Sequence, residues 1–195
     1  MMITHALPRS RRLRCLALVP LFGLTACGFG SISPVIADSD VRTEPRLVGT
    51  WHDSANKETI VISADGPTAY LVRFTDSDQK TAEFHARFGV IGAMRALDVQ
   101  PVDLSREMGD TYASLILRLH APVIIDSAGT VLAFRLVETD SVKAFLRRSP
   151  QAVAHTMIDD GVVLTAPTAE VQRFLADFMR RPGVLSEPNV AFRRR

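Results

Sequence analysis

The sequence predicts a mainly β fold: a curled or closed antiparallel sheet of about seven to nine short strands, with two helices towards the C-terminus. Three observations carry this. Between Ala69 and Phe88 the residues alternate. Tyr70, Val72 and Phe74, then Phe84, Ala86 and Phe88, fall on one face, while Arg73, Glu83, His85 and Arg87 fall on the other. A period of two marks a half-buried antiparallel strand. Turn residues such as Asp65-Gly66 and Ser127-Ala128-Gly129 separate the apolar runs at hairpin spacing. Past Val137 the period lengthens, and Val171, Phe174, Leu175 and Phe178 stand at i, i+3, i+4 and i+7, the apolar stripe of a helix.

In chain order, Leu47 to Trp51 reads as a first strand. Thr59 to Ser63, rich in β-branched residues, pairs across Asp65-Gly66 with Ala69 to Phe74. Asp76-Ser77-Asp78 is the turn into Thr81 to Phe88; Gly89 and Gly92 break the pattern and Ala96 to Val99 resumes it. Pro101 to Asp110 is polar and reads as a loop. Ala113 to Leu119, Val123 to Asp126 and Val131 to Val137 are further strand candidates. Asp140 is placed to cap a short helix carrying Val142, Phe145 and Leu146 on one face, ended by Ser149-Pro150. Val162 to Thr165 reads as a short strand, and Pro167 opens a helix to about Arg181, stopped by Pro182-Gly183. The basic end, Arg193-Arg194-Arg195 with Arg180 and Arg181, suits phosphate headgroups or lipopolysaccharide; more simply it is a solvated end with arginines supporting a helix C-terminus.

The N-terminal region has a different character. Arg9, Arg11, Arg12 and Arg14 form a basic cluster, and no acid occurs before Asp38. An apolar stretch from Cys15 to Leu24 follows, interrupted by Pro20 and Gly23; at about ten residues it is well short of the roughly 20 that span a bilayer. Leu24-Thr25-Ala26-Cys27 closes it. This order of charge, apolar run and small residues is that of an export signal, and with its cysteine it resembles the lipobox signal peptide of bacterial lipoproteins. The resemblance implies that Cys27 receives a diacylglycerol thioether, that cleavage follows Ala26, and that fatty acyl chains such as palmitate tie the chain to a membrane. Gly28 stands where aspartate would resemble an inner-membrane retention signal, so the expected location is the outer membrane, facing the periplasm. Ser10-Arg11-Arg12 also resembles a twin-arginine signal, with Arg14 where an apolar residue is expected. The expected organisation is a signal peptide over 1–26, a flexible tether over 27–46, and a single β-rich domain over 47–195 with its helices at the C-terminal end.

Removing the first 26 residues leaves 169, enough for one domain, and takes the formal charge from +2 to −2. The basic character thus belongs to the leader and gives no support to nucleic-acid binding. Both cysteines, Cys15 and Cys27, are accounted for by leader and anchor, leaving none for a disulfide, a thiolate metal site or a thiol nucleophile. No histidine pair stands at the i, i+2 spacing that suits two ligands on one strand, and neither a metal nor another cofactor is expected.

An enzyme is the less favoured class. Gly-x-Ser-x-Gly, His-Glu-x-x-His and a glycine-rich phosphate loop are all missing. His52-Asp53, Asp159-Asp160 and His120 near Asp126 offer acid–base groups, each read first as a turn or surface group. His120 stands out because it lies between two apolar runs, where a polar side chain needs a partner. Gly49-x-Trp51 at the start of a strand-rich domain with a late helix resembles the lipocalin superfamily. That resemblance implies a barrel with Trp51 plugging one end, a late basic residue packed over it, and an apolar or amphipathic ligand inside. No second lipocalin motif is evident, and a short helix interrupts the late strands. From Leu47 through Ala96-Leu97-Asp98 and Leu164-Thr165-Ala166 to Phe174 the chain also resembles small bacterial lipoproteins of no known function. The alternative is a structural lipoprotein that binds an envelope partner protein; an envelope hydrolase is a third possibility.

Overall fold

The structure, a computed structural model, describes residues 28–102, 117–158 and 160–195. Cys27, Asp159 and most of the strand candidate at Ala113 to Leu119 lie outside these residues, and the described part of that candidate is not a strand. In chain order the strands are β1 (Phe29–Ser31), β2 (Gly49–Asp53), β3 (Glu58–Ala64), β4 (Ala69–Thr75), β5 (Thr81–Ile91), β6 (Met94–Pro101), β7 (Ala121–Ala128), β8 (Val131–Leu136), β9 (His155–Ile158), β10 (Gly161–Leu164) and β11 (Asn189–Arg194). The helices are α1 (Thr139–Arg148) and α2 (Thr168–Phe178).

Eight strands close into an antiparallel barrel in the order β11-β2-β3-β4-β5-β6-β7-β8. The alternation in the sequence decides which side chains enter it. Trp51 stands opposite Ile60, Ile60 opposite Phe74, Tyr70 opposite Ala86, and Phe88 opposite Leu97. Cross-strand partners share a face, so one apolar row follows another around the interior, joined by Ile125, Leu132, Phe134 and Phe192 in one continuous cluster. Phe84 and Phe88 are buried, as their face of β5 predicts.

A second core lies outside the wall. β5, β6 and β7 present Ile91, Ala96 and Ile124 outward, and these pack with Val142 and Leu146 of α1 and with Val171, Phe174, Leu175 and Phe178 of α2. The helical stripe is thus buried against the barrel's outer face. Each such side chain contributes about 1.5–3 kcal/mol when fully buried. A three-stranded sheet, β1-β10-β9, completes this layer, with β1 parallel to β10 and β9 antiparallel to it. Asp140 sits in the first turn of α1, where an acid suits the helix dipole, while Glu138 holds the cap position.

Three expectations need correction. The segment over 27–46 is not a free tether: its described part is built into the domain as a strap. β1 pairs with β10, and Val35 and Ile36 are fully buried. The strap runs along the outer wall, its backbone N–H groups donating to His120 O (from Ser31, 2.8 Å), Asp98 Oδ2 (from Val35, 3.1 Å), Phe88 O (from Arg42, 2.8 Å) and the Tyr70 hydroxyl (from Glu44, 2.8 Å). The cause is the apolar outer face of β5 and β6, which Val35 and Ile36 cover. Gly89 does not break β5; it lets the strap pass, because a Cβ there would stand 2.5 Å from Asp40 O. The arginine end is exposed, as expected, yet it is a strand of the barrel rather than a tail. Phe192 turns fully into the barrel and draws β11 between β8 and β2 as the closing strand.

Candidate functional site

The end of the barrel where β2 begins is closed by a short 3-10 turn, Pro45–Leu47, and by two side chains. Trp51 is fully buried and its Nε1–H donates to Leu47 O at 2.9 Å. Arg194 lies over its ring, Cζ 4.2 Å from the centroid. The same guanidinium donates from Nε to Gly129 O at 3.0 Å, from one Nη to Val48 O at 2.8 Å, and from the other to Arg46 O. The cation faces an electron-rich ring while its N–H groups satisfy carbonyls at the barrel's edge. Gly49 has φ +150°, a conformation that a side chain rarely adopts, and it lies beside the plug, where a Cβ would stand 2.5 Å from Arg194 Nη1. Trp51 is thus held between the carbonyl of Leu47 and the Arg194 guanidinium.

The interior is apolar, lined by Ile62, Tyr70, Phe88, Leu97, Ile125 and Phe134 among others. At the opposite rim the inward row turns acidic. Asp53 and Glu58 are cross-strand partners there, with Asp76 in the adjacent turn. Asp53 accepts the N–H groups of Ala55 (2.9 Å) and Asn56 (3.3 Å) and the Asn56 side-chain amide (2.7 Å). Asp76 accepts the N–H groups of Asp78 (2.9 Å) and Lys80 (2.8 Å). Both are turn-forming aspartates. Glu58 differs: its Oε2 is buried with no hydrogen-bond partner. Burial, then the nearby charges of Asp53 and Asp76, push its carboxyl above the ordinary carboxylate range. Sequence reading passed over Glu58, although its place two residues before Ile60 puts it on the inward face.

His120 finds its partner on β6 rather than at Asp126. Its Nδ1 lies 2.8 Å from Asp98 Oδ1, and its Nε2 lies 3.2 Å from Gln100 Nε2. Asp98 is buried; its other oxygen accepts Val35 N–H and faces the Arg87 guanidinium at 3.7 Å. Arg87, on the polar face of β5 and expected exposed, is held half-buried beneath the strap by Asp38 (2.7 Å) and Ile36 O (3.1 Å). Asp126 instead makes a two-point pair with Arg135, at 2.6 and 2.9 Å. The Asp98–His120–Arg87 group fixes the strap to the wall. The remaining acid–base candidates stay apart: His52 Nδ1 meets Thr59 Oγ1 at 3.2 Å, and Asp53 serves its turn. Among the described residues no group of three or more His, Cys, Asp or Glu is placed to hold a metal, and no helix is long and apolar enough to cross a membrane.

A groove of about 220 Å³ runs between α1 and α2. Its floor is the rings of Phe145, Phe174 and Phe178, with centroids 5.4 to 5.9 Å apart, and its rim carries Glu170, Arg173, Asp177 and Arg181. Arg181 rests 4.5 Å over the Phe145 ring, and Arg180 pairs with Asp177. These two arginines are engaged with the helices they follow.

Fold and plug together define a closed eight-stranded antiparallel barrel, stoppered at one end and compatible with a lipocalin-like ligand-binding fold. In comparisons with known proteins, no family model matches the chain, and neither a curated protein nor a solved structure matches it.

Proposed function

We propose that the chain is a bacterial envelope lipoprotein, anchored through Cys27 and probing its surroundings with a barrel that binds an apolar or amphipathic ligand. The observation that carries the ligand reading is the combination of a closed barrel, an apolar interior, and one end sealed by Trp51 and Arg194. Barrels of eight strands are wide enough for side chains to fill or for one small ligand to occupy. The carboxyls of Asp53 and Glu58, where β2 turns into β3, lie at the end away from the plug and suit an amphipathic molecule with a neutral or cationic head entering apolar part first. The anchor reading rests on the lipobox sequence, and it places the protein in the outer membrane, facing the periplasm.

Trp51 is the single tryptophan and lies at the bottom of the barrel, which makes it the reporter. Titrating the purified protein with a zwitterionic lysophospholipid should shift its emission with saturation at one equivalent, and solvent extraction of the protein as isolated should release an amphiphile. Failure of both would remove the ligand reading. The second reading, a structural lipoprotein that binds an envelope partner, is favoured by the size of the inward residues, whose aromatic and branched side chains meet as one continuous cluster. For the anchor, Cys27→Ser should abolish processing and lipid labelling.

A further inference from the structure

We propose that the domain lies flush against the phospholipid bilayer through the end of its small sheet, with Met157 and Ile158 in contact with the lipid. This rests on the reading of Cys27 as the lipid-bearing residue. A lipidated cysteine followed by a flexible tether would leave the domain free to tumble above the membrane. The structure removes that slack. Gly28, one peptide bond after Cys27, accepts the Val162 N–H at 3.0 Å, and Phe29 is already in β1, in register with Val162. Ser31 then exchanges backbone hydrogen bonds with His120, both at 2.8 Å. Consecutive Cα atoms are about 3.8 Å apart, so an acylated Cys27 has only that reach beyond a strand fixed to the domain.

What the strand stands beside identifies the contacting surface. The register of the sheet aligns Phe29 with Val162, Val162 with Met157, and Gly161 with Ile158. The β9–β10 turn is therefore level with Gly28. Of the large apolar side chains that stand exposed among the described residues, Met157 (39%) and Ile158 (43%) are the two adjacent in sequence. Successive strand residues point to opposite faces, so both are exposed because the end of β9, an edge strand, stands clear of the domain on both sides. Two acids follow Ile158 in the sequence, Asp159 and Asp160; Asp160 faces the Lys143 ammonium at 3.8 Å, which offsets part of its repulsion from an anionic lipid surface. An apolar tip beside an obligatory membrane attachment is a surface for lipid.

The test uses the full chain, produced in a bacterial host and isolated from membranes. Met157→Cys or Ile158→Cys, labelled with an environment-sensitive dye, is compared with Thr68→Cys in the β3–β4 turn. β3 and β4 lie across the ring from β7 and β8, and Thr68 is exposed. Each labelled protein is reconstituted in phosphatidylethanolamine and phosphatidylglycerol vesicles containing a nitroxide-bearing lipid, and mass spectrometry of the Cys27 peptide records its lipidation. Lipidated protein with several-fold stronger quenching and a blue shift at 157 and 158, and neither at 68, is the expected result. Lipidated protein with equal, water-like signals at all three positions overturns the flush docking and leaves the anchor standing. A Cys27 peptide without lipid overturns the anchor, and the docking with it.

Discussion

Arg194 stacks on Trp51 from the neighbouring strand and, with the same guanidinium, holds the carbonyls of Arg46, Val48 and Gly129. One side chain thus joins the closing strand, the 3-10 turn and the β7–β8 turn. Arg194→Ala should lower stability by about 1–3 kcal/mol, from the lost cation–π contact and hydrogen bonds. Urea unfolding followed by Trp51 emission measures it. Arg194→Lys should recover little, because an ammonium cannot present the planar fork that reaches several carbonyls. An alanine variant with an unchanged urea midpoint would show that the stack is incidental.

Phe174→Asp tests whether α2 belongs to the fold. The ring stacks on Phe178 at 5.5 Å and meets Phe145 at 5.9 Å, under an exposure of 7%. Losing a buried phenyl ring costs about 3–5 kcal/mol, and an uncompensated carboxylate adds to that. The isolated protein should show a marked fall in Tm. An unchanged Tm together with loss of a co-purifying partner would make the stripe an interface.

Glu58 gives stability a pH dependence of defined sign. Its carboxyl titrates higher in the folded state than the ordinary value of 4.5, because burial and then Asp53 and Asp76 oppose its charge. Below the unfolded value the group is protonated in both states and imposes no penalty. As pH rises through that value and on through the folded one, stability is lost. Glu58→Gln should therefore raise Tm at neutral pH and leave it unchanged in the acid range. Thermal scans of both proteins across pH decide it, and a variant less stable at neutral pH contradicts the assignment.

Asp98→Ala should loosen the strap selectively. It leaves the Val35 N–H without its acceptor and removes the partner of His120 and Arg87. The loss is about 1–3 kcal/mol for a buried group left unsatisfied. Hydrogen exchange at Val35 and proteolysis at Arg42 should speed up before exchange at β3 and β4 does. Uniform acceleration across the domain would instead mean that Asp98 supports the barrel as a whole.

The parts of the fold legible in the sequence were those with local periodicity. The Ala69–Phe88 alternation, the hairpin turns and the stripe of α2 depend on neighbours a few residues away, and the sequence displays them directly. β1 escaped because it is three residues long and its partner, Val162–Leu164, is remote; Phe29-Gly30-Ser31 has no period to read. β11 was hidden by its charge: in Asn189–Arg194 only the alternation of Val190 and Phe192 around Ala191 signals a strand. At the site, Trp51 was legible through Gly49-x-Trp51, and the need of His120 for a partner was legible from its apolar flanks. The identity of that partner, Asp98, was not, because it depends on the register between β6 and β7.

The placement of β11 also sets the order in which the ring must assemble. From β2 to β8 every strand pairs with the next in sequence, and apart from the connection over 102–120 between β6 and β7 each pairing closes a short loop. The seam joins residues 52 and 193, and the whole α1-to-α2 region intervenes between β8 and β11. Pairings so remote in sequence form late and slow folding. Until β11 arrives, β2 and β8 are open sheet edges able to pair with another chain. A half-finished molecule is thus a sheet with two adhesive margins, and the last strand to join is the one that carries the arginine for the plug.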